Sequence, residues 1–138
     1  MVELLGVDIL IVNRDFSTVP AGDVETVSGR ACLVQDLSHR LGTPRGSLWR
    51  HADYGIDVSR YLQAEMTQVH VDDLVQSIQV EAEADPRVQL GTAKCAVVSR
   101  DLDTLRLRLT VLPIGETNPL NLVLVFNSRT GMMEVPGA

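Results

Sequence analysis

From Val88 the spacing of apolar residues along this chain changes from helical to two. Leu33, Val34, Leu37 and Leu41 form one stripe, with Gln35, Asp36, Ser38, His39 and Arg40 mostly on the other face. Ser28 supplies an N-cap oxygen, which predicts a helix from Ser28 to about Leu41. Gly42 stops it and Pro44 prevents its return. Val71, Leu74, Val75, Ile78 and Ala82 predict a second helix, with Asp72 and Asp73 near its start and Pro86 ending it. A short helix over Ile56 to Leu62 is a weaker pattern.

Residues 88–99 and 104–112 read as strands, joined through Ser99 to Asp103. Leu105, Leu107, Leu109 and Val111 alternate with Arg106, Arg108 and Thr110, as in a half-buried antiparallel strand. Pro113 to Pro119 is a loop, Leu120 to Phe126 a third strand, and Ser128 to Ala138 a mobile tail. In the third strand Leu120, Leu122, Leu124 and Phe126 line one face, while Val123 and Val125 put apolar groups on the other. That implies a second layer, drawn either from residues 4 to 12 or from a neighbouring polypeptide. Val7 to Val12 is rich in β-branched residues and reads as a strand packed on its own domain; an arm reaching another subunit is the alternative. The resulting fold class is α+β: two main helices on a three-stranded antiparallel meander, with an N-terminal strand or arm.

Between the two helical patterns lies a corner, Thr43 to Gly55. Thr43-Pro44-Arg45-Gly46 and Asp53-Tyr54-Gly55 are both turn signals, and the chain's single tryptophan, Trp49, sits between them. Thr43, Pro44, Gly46, Trp49, Tyr54 and Gly55 shape a backbone and fill space; they do not move protons. Trp49 is expected to be buried there.

Composition limits the function. At 138 residues the chain suits one core, and 45% apolar with 22% charged residues is ordinary for a globular protein. A net charge of −6 argues against general nucleic-acid binding, leaving only a local basic patch at Arg40, Arg45, Arg50 and His51. Cys32 and Cys95 lack zinc or redox spacing and read as buried, reduced thiols. The apolar stretch Leu4 to Val12 is broken by Gly6 and Asp8 and has no basic start, so no secretory signal is expected, and no run is long enough to span a membrane.

Candidate chemistry is sparse. Glu81, Glu83 and Asp85 raise the idea of a glycosidase pair, but Glu81 and Glu83 point in different directions on a helix, and solvated acids are the expectation. His39, His51 and His70 show no metal or triad spacing, and the glycines near Pro44 lack the lysine of a phosphate loop. No cofactor, metal or catalytic residue is expected. Arg87 stands apart: Pro86 fixes its direction, and a guanidinium can clamp carboxylates or carbonyls.

The run Leu41-Gly42-Thr43-Pro44-Arg45-Gly46-Ser47-Leu48-Trp49, followed by Asp53-Tyr54-Gly55, resembles the wedge protein of contractile-tail baseplates, the sheath initiator of myophages. Relatives occur in type VI secretion baseplates and phage-like injection particles. That family also carries Glu-Pro-Arg after its second helix; here the triplet is Asp85-Pro86-Arg87, one methylene shorter at the acid. The resemblance covers roughly residues 28 to 127, with 1 to 27 as a strand or arm and 128 to 138 as a tail. It implies a structural, non-enzymatic protein of the virion tail baseplate, assembled in the bacterial host cytoplasm. Asp85, Pro86 and Arg87 would meet other wedge subunits, and Leu120, Leu122, Val123, Leu124, Val125 and Phe126 would pair with tail sheath subunits. Tail tube or hub proteins are further candidate partners. A small acidic lysozyme-like hydrolase, a label linked with some family members, is the alternative, and a stand-alone binding module a third reading.

Overall fold

A computed structural model describes residues 5–12, 15–16, 26–57, 61 and 67–135. Among them the order is β1 (Val7–Ile9), β2 (Ile11–Val12), β3 (Asp15–Phe16), β4 (Thr26–Ser28), α1 (Gly29–Gly42), α2 (Gln68–Glu83), β5 (Lys94–Arg100), β6 (Thr104–Val111), β7 (Leu120–Asn127) and β8 (Met132–Glu134). The fold is mixed α+β. Its main sheet has four strands in the order β5-β6-β7-β8, with each adjacent pair antiparallel. The expected meander is therefore extended by one strand. Residues 132–134, expected to be part of a mobile tail, pair with Val125, Phe126 and Asn127. Met133 explains the docking: it is the inward residue of β8 and is buried with Phe126.

Alternation decides which face is core. Leu105, Leu107, Leu109, Val111, Leu122, Leu124 and Phe126 are buried on one face, where they meet Leu33, Leu37 and Leu41 of α1 and Val71, Leu74 and Ile78 of α2. Tyr61 closes this core edge-on to Phe126, with ring centroids 6.1 Å apart, and its hydroxyl donates to Asp73 at 2.9 Å. The opposite face carries Arg106, Arg108 and Val123. Val123 is 38% exposed, so among the described residues no second layer covers it. Residues 7–12 go elsewhere: β1 pairs with β4 and β2 with β3, and this N-terminal segment packs on α1.

That packing changes the reading of α1. Gln35 was expected on a solvated face, yet it is buried. Its side-chain amide donates to the Ile9 carbonyl at 2.7 Å, and its oxygen accepts the Ile11 N–H at 2.9 Å. One side chain thus satisfies a backbone donor and an acceptor that packing would leave without water. Residue 28 belongs to β4 and the helix starts at Gly29, whose φ of 64° turns the chain out of the strand.

Helix α2 begins where Thr67 accepts the His70 N–H at 3.4 Å. Residues 88–93, expected in a strand, form a turn instead, with Gly91 at φ 80° and only a single bridge from Val88 to Pro113. The expected helix over residues 56 to 62 falls mostly outside the described residues. Its first residue, Ile56, is in extended pairing with Pro44. The loop after β6 is fastened to α1 by Arg30, which pairs with Glu116 and donates to the carbonyls of Asn118 and Pro119 at 3.0 and 2.9 Å. Neither cysteine is in a disulfide; Cys32 is buried and Cys95 half-buried, and burial pushes the Cys95 thiol up to about 11.

Candidate interaction site

The two segments singled out in the sequence, Thr43–Gly55 and Asp85–Arg87, lie far apart in the chain. Both are fastened near the C-terminal ends of α1 and α2. On α1, Asp36 and Arg40 are one turn apart and share a face. Arg40 reaches Glu81 on α2 at 2.9 Å, and Asp36 accepts from Arg87, just beyond α2, at 2.8 Å. Arg45 from the corner adds a second guanidinium to Glu81 at 3.4 Å. Asp85 pairs with Arg87 at 2.6 Å, so two ion-pair groups, Glu81 with Arg40 and Arg45, and Arg87 with Asp36 and Asp85, leave α1 one helical turn apart.

Glu81 and Asp85 are each 3% exposed, which corrects the expectation of solvated acids. Glu81 tolerates burial because its oxygens are fully engaged: beyond the two arginines, it accepts the Gly55 N–H at 2.9 Å. Its position was legible, since residue 81 falls on the buried stripe of α2 between Ile78 and Ala82. The charge concealed it.

Glu81 is the pin of the corner. Pro44 pairs with Ile56, the Arg45 N–H donates to the Ile56 carbonyl at 2.8 Å, and the Ile56 N–H donates to the Thr43 carbonyl at 3.0 Å. The two turn segments are thereby clasped at their base. Gly55 sits at φ 99°, and a Cβ there would lie 2.1 Å from the Thr43 carbonyl oxygen, so only glycine fits. Tyr54 lies beneath the Arg40 guanidinium, 4.5 Å from ring centroid to Cζ. Trp49 is the correction here: it is 84% exposed and contributes nothing to the core. Ser47 bonds back to the Pro44 carbonyl, and Leu48 to Asp53 are exposed.

Arg87 faces inward. Its Nε and Nη2 donate to the two oxygens of Asp85 at 2.9 and 2.6 Å, and its Nη1 donates to Asp36 and to the Leu5 carbonyl at 2.8 and 2.9 Å. Asp85 also accepts the Arg87 backbone N–H at 2.9 Å. The polar atoms of the triplet, expected to reach a partner, are thus used inside the chain, where they tie the N-terminal segment and α1 to the end of α2; Pro86 alone is exposed. Burial by itself would raise the Asp85 pKa. The hydrogen bonds and charge of Arg87 outweigh it and hold the carboxyl below its ordinary range, while Asp85 raises that of Arg87.

The expected sheath-pairing strand divides in two. Leu120, Leu122, Leu124 and Phe126 are buried in the chain's own core, and β6 pairs with all of β7. On the other edge β8 covers Val125 to Asn127 only, leaving Leu120 to Leu124 without a neighbour among the described residues. The basic patch is smaller than expected, because Glu81 binds both Arg40 and Arg45 and offsets one of their two charges. Among the described residues no group of three or more His, Cys, Asp or Glu side chains is arranged to hold a metal ion, and no helix is long and apolar enough to cross a membrane. No family model matches the chain, and no curated protein matches it.

Proposed function

We propose that this chain is a structural baseplate wedge protein of a contractile phage tail or phage-like injection system, joining the wedge core bundle to the first sheath ring and initiating sheath assembly. The observation that carries the reading is that both motif segments are fastened by ion pairs to the same two helices. The corner and the Asp-Pro-Arg triplet are the residues on which the family resemblance rests; Glu81 with Arg40 and Arg45 holds the first, and Asp36 with Arg87 and Asp85 holds the second. Such fastening suits a rigid part that holds neighbours in fixed relation. Its partners are other wedge subunits and tail sheath subunits, with the tube and hub as further contacts, and its place is the virion baseplate after assembly in the host cytoplasm.

The uncovered stretch Leu120 to Leu124 supports the sheath contact. Unpaired backbone groups on a strand edge accept an added strand, and the exposed Val123 side chain would flank it. The hydrolase alternative finds no support at Asp85. A glycosidase needs one carboxyl with a raised pKa, whereas Arg87 lowers that of Asp85.

The test is sedimentation. A tagged chain produced alongside its genomic neighbours should co-sediment with sheathed particles and appear at the tail end by electron microscopy. A chain found only at monomer mass, while intact particles form without it, overturns the proposal.

A further inference from the structure

The tip of the corner presents an aromatic side chain outward on a fixed frame. Three successive backbone bonds order it: Ser47 N–H to Pro44 carbonyl at 3.2 Å, His51 to Leu48 at 3.0 Å, and Tyr54 to His51 at 3.0 Å. Trp49 and Arg50 are the two central residues of the middle turn, the positions that project furthest. Trp49 is 84% and Leu48 42% exposed. The Arg50 guanidinium lies over the indole at 4.4 Å, and among the described residues it has no carboxylate partner.

We propose that Leu48-Trp49-Arg50 is a docking knob that inserts the Trp49 indole into an apolar pocket of another protein, with a carboxylate at the pocket rim receiving Arg50. Solvent exposure of a tryptophan forgoes the burial energy its ring would gain in a core. The clasp and Glu81 meanwhile hold the loop, so little conformational freedom is lost on binding. Tryptophan and arginine are the side chains most enriched where a few residues dominate an interface. The charge pattern selects the partner: the tip carries Arg50 and His51 with no acid before Asp53, on a chain of net charge −6. An acidic rim attracts the tip, whereas an anionic membrane repels the rest of the molecule. The knob belongs to the loop and stands whether or not the particle is a contractile tail.

The experiment replaces Trp49 by the photo-crosslinker p-benzoylphenylalanine in the full chain, in the cells that produce it. The expected result is one discrete protein adduct whose crosslinked peptide is apolar and flanked by Asp or Glu. Arg50→Glu should lower the adduct yield roughly thirtyfold. The same crosslinker at Leu102, 93% exposed elsewhere on the surface, should not give this adduct. No adduct, an identical adduct from position 102, an adduct indifferent to Arg50→Glu, or an adduct to a second copy of this chain overturns the proposal. Trp49 is the only tryptophan, so its fluorescence reports on the membrane alternative. Emission of the purified chain should not move on adding phosphatidylglycerol vesicles, and a blue shift would assign the tip to lipid instead. Co-sedimentation with particles but no adduct at Trp49 removes the knob and leaves the baseplate reading intact; an adduct without particle association does the reverse.

Discussion

The Glu81 carboxylate accepts the backbone N–H of Gly55 at 2.9 Å, bridging the buried face of α2 to the far end of a loop that starts after α1. A charged oxygen receives a donor that the clasp would otherwise leave dry, and Arg40 and Arg45 both pair with the same carboxylate. Removing one partner of such a group strands the others. Glu81→Ala is expected to cost about 3 kcal/mol, toward the low end for a buried pair because Arg45 is half-exposed. That corresponds to a melting temperature roughly 10 °C lower, measurable by circular dichroism. A fall of a degree or less would show that the corner stands without its pin.

Gly55→Ala and Gly46→Ala separate two costs of alanine. Both glycines have positive φ, 99° and 88°. At Gly46 an added Cβ meets nothing within 4 Å, so only the backbone strain remains, about 1 kcal/mol. At Gly55 it collides with the Thr43 carbonyl, and the expected loss is about 3 kcal/mol or more. Equal melts for the two variants would deny the clash.

Trp49→Ala is expected to change the melting temperature hardly at all, within about 0.5 kcal/mol, since the ring is exposed. A drop matching core truncation, about 3–5 kcal/mol, would place the indole inside.

Arg87→Ala is expected to destabilise the isolated chain by about 3 kcal/mol, because Asp36, Asp85 and the Leu5 carbonyl all lose a donor. Arg87→Lys should recover part of this, since an ammonium retains the charge but not the planar fork to Asp85. A melt of Arg87→Ala indistinguishable from the parent would return Arg87 to the role of a partner anchor.

Acid should act through Asp85. Its folded pKa is lowered, so the unfolded chain takes up this proton first. The contribution is fully present above the unfolded value, near ~4 for an aspartate. It is lost as pH falls through the folded value below that. Urea midpoints between pH 6 and 2 should therefore drop less steeply for Asp85→Asn than for the parent. Parallel curves would mean that other carboxylates carry the acid limb.

How much of this was legible follows from what periodicity records. Leu33, Leu37, Leu41, Leu74 and Ile78, and the alternation in β6 and β7, announce their burial because apolar spacing is set by the geometry of the element. Gln35, Glu81 and Asp85 were misread because hydropathy registers a side chain's cost in isolation. What makes their burial tolerable is a set of partners distant in sequence: Ile9, Ile11, Arg40, Arg45, Gly55 and Arg87. Trp49 failed the opposite way, being apolar by composition and exposed by the shape of its turn. Met133 was hidden because it alternates only with Val135, too short a stretch to establish a period of two. The turn signals at Pro44, Gly46 and Gly55 were readable because a backbone constraint is local.

The charge pairs between α1 and α2 alternate in sign. Asp36 faces Arg87, and one turn on, Arg40 faces Glu81. Sliding α1 by a single turn, about 5.4 Å, would bring Arg40 beside Arg87; sliding it the other way would set Asp36 against Glu81. Either shift juxtaposes like charges that are only partly open to water, so the observed register is keyed by charge. A leucine seam alone offers several nearly equivalent settings. A one-turn slip of α1 is therefore opposed by charge as well as by packing.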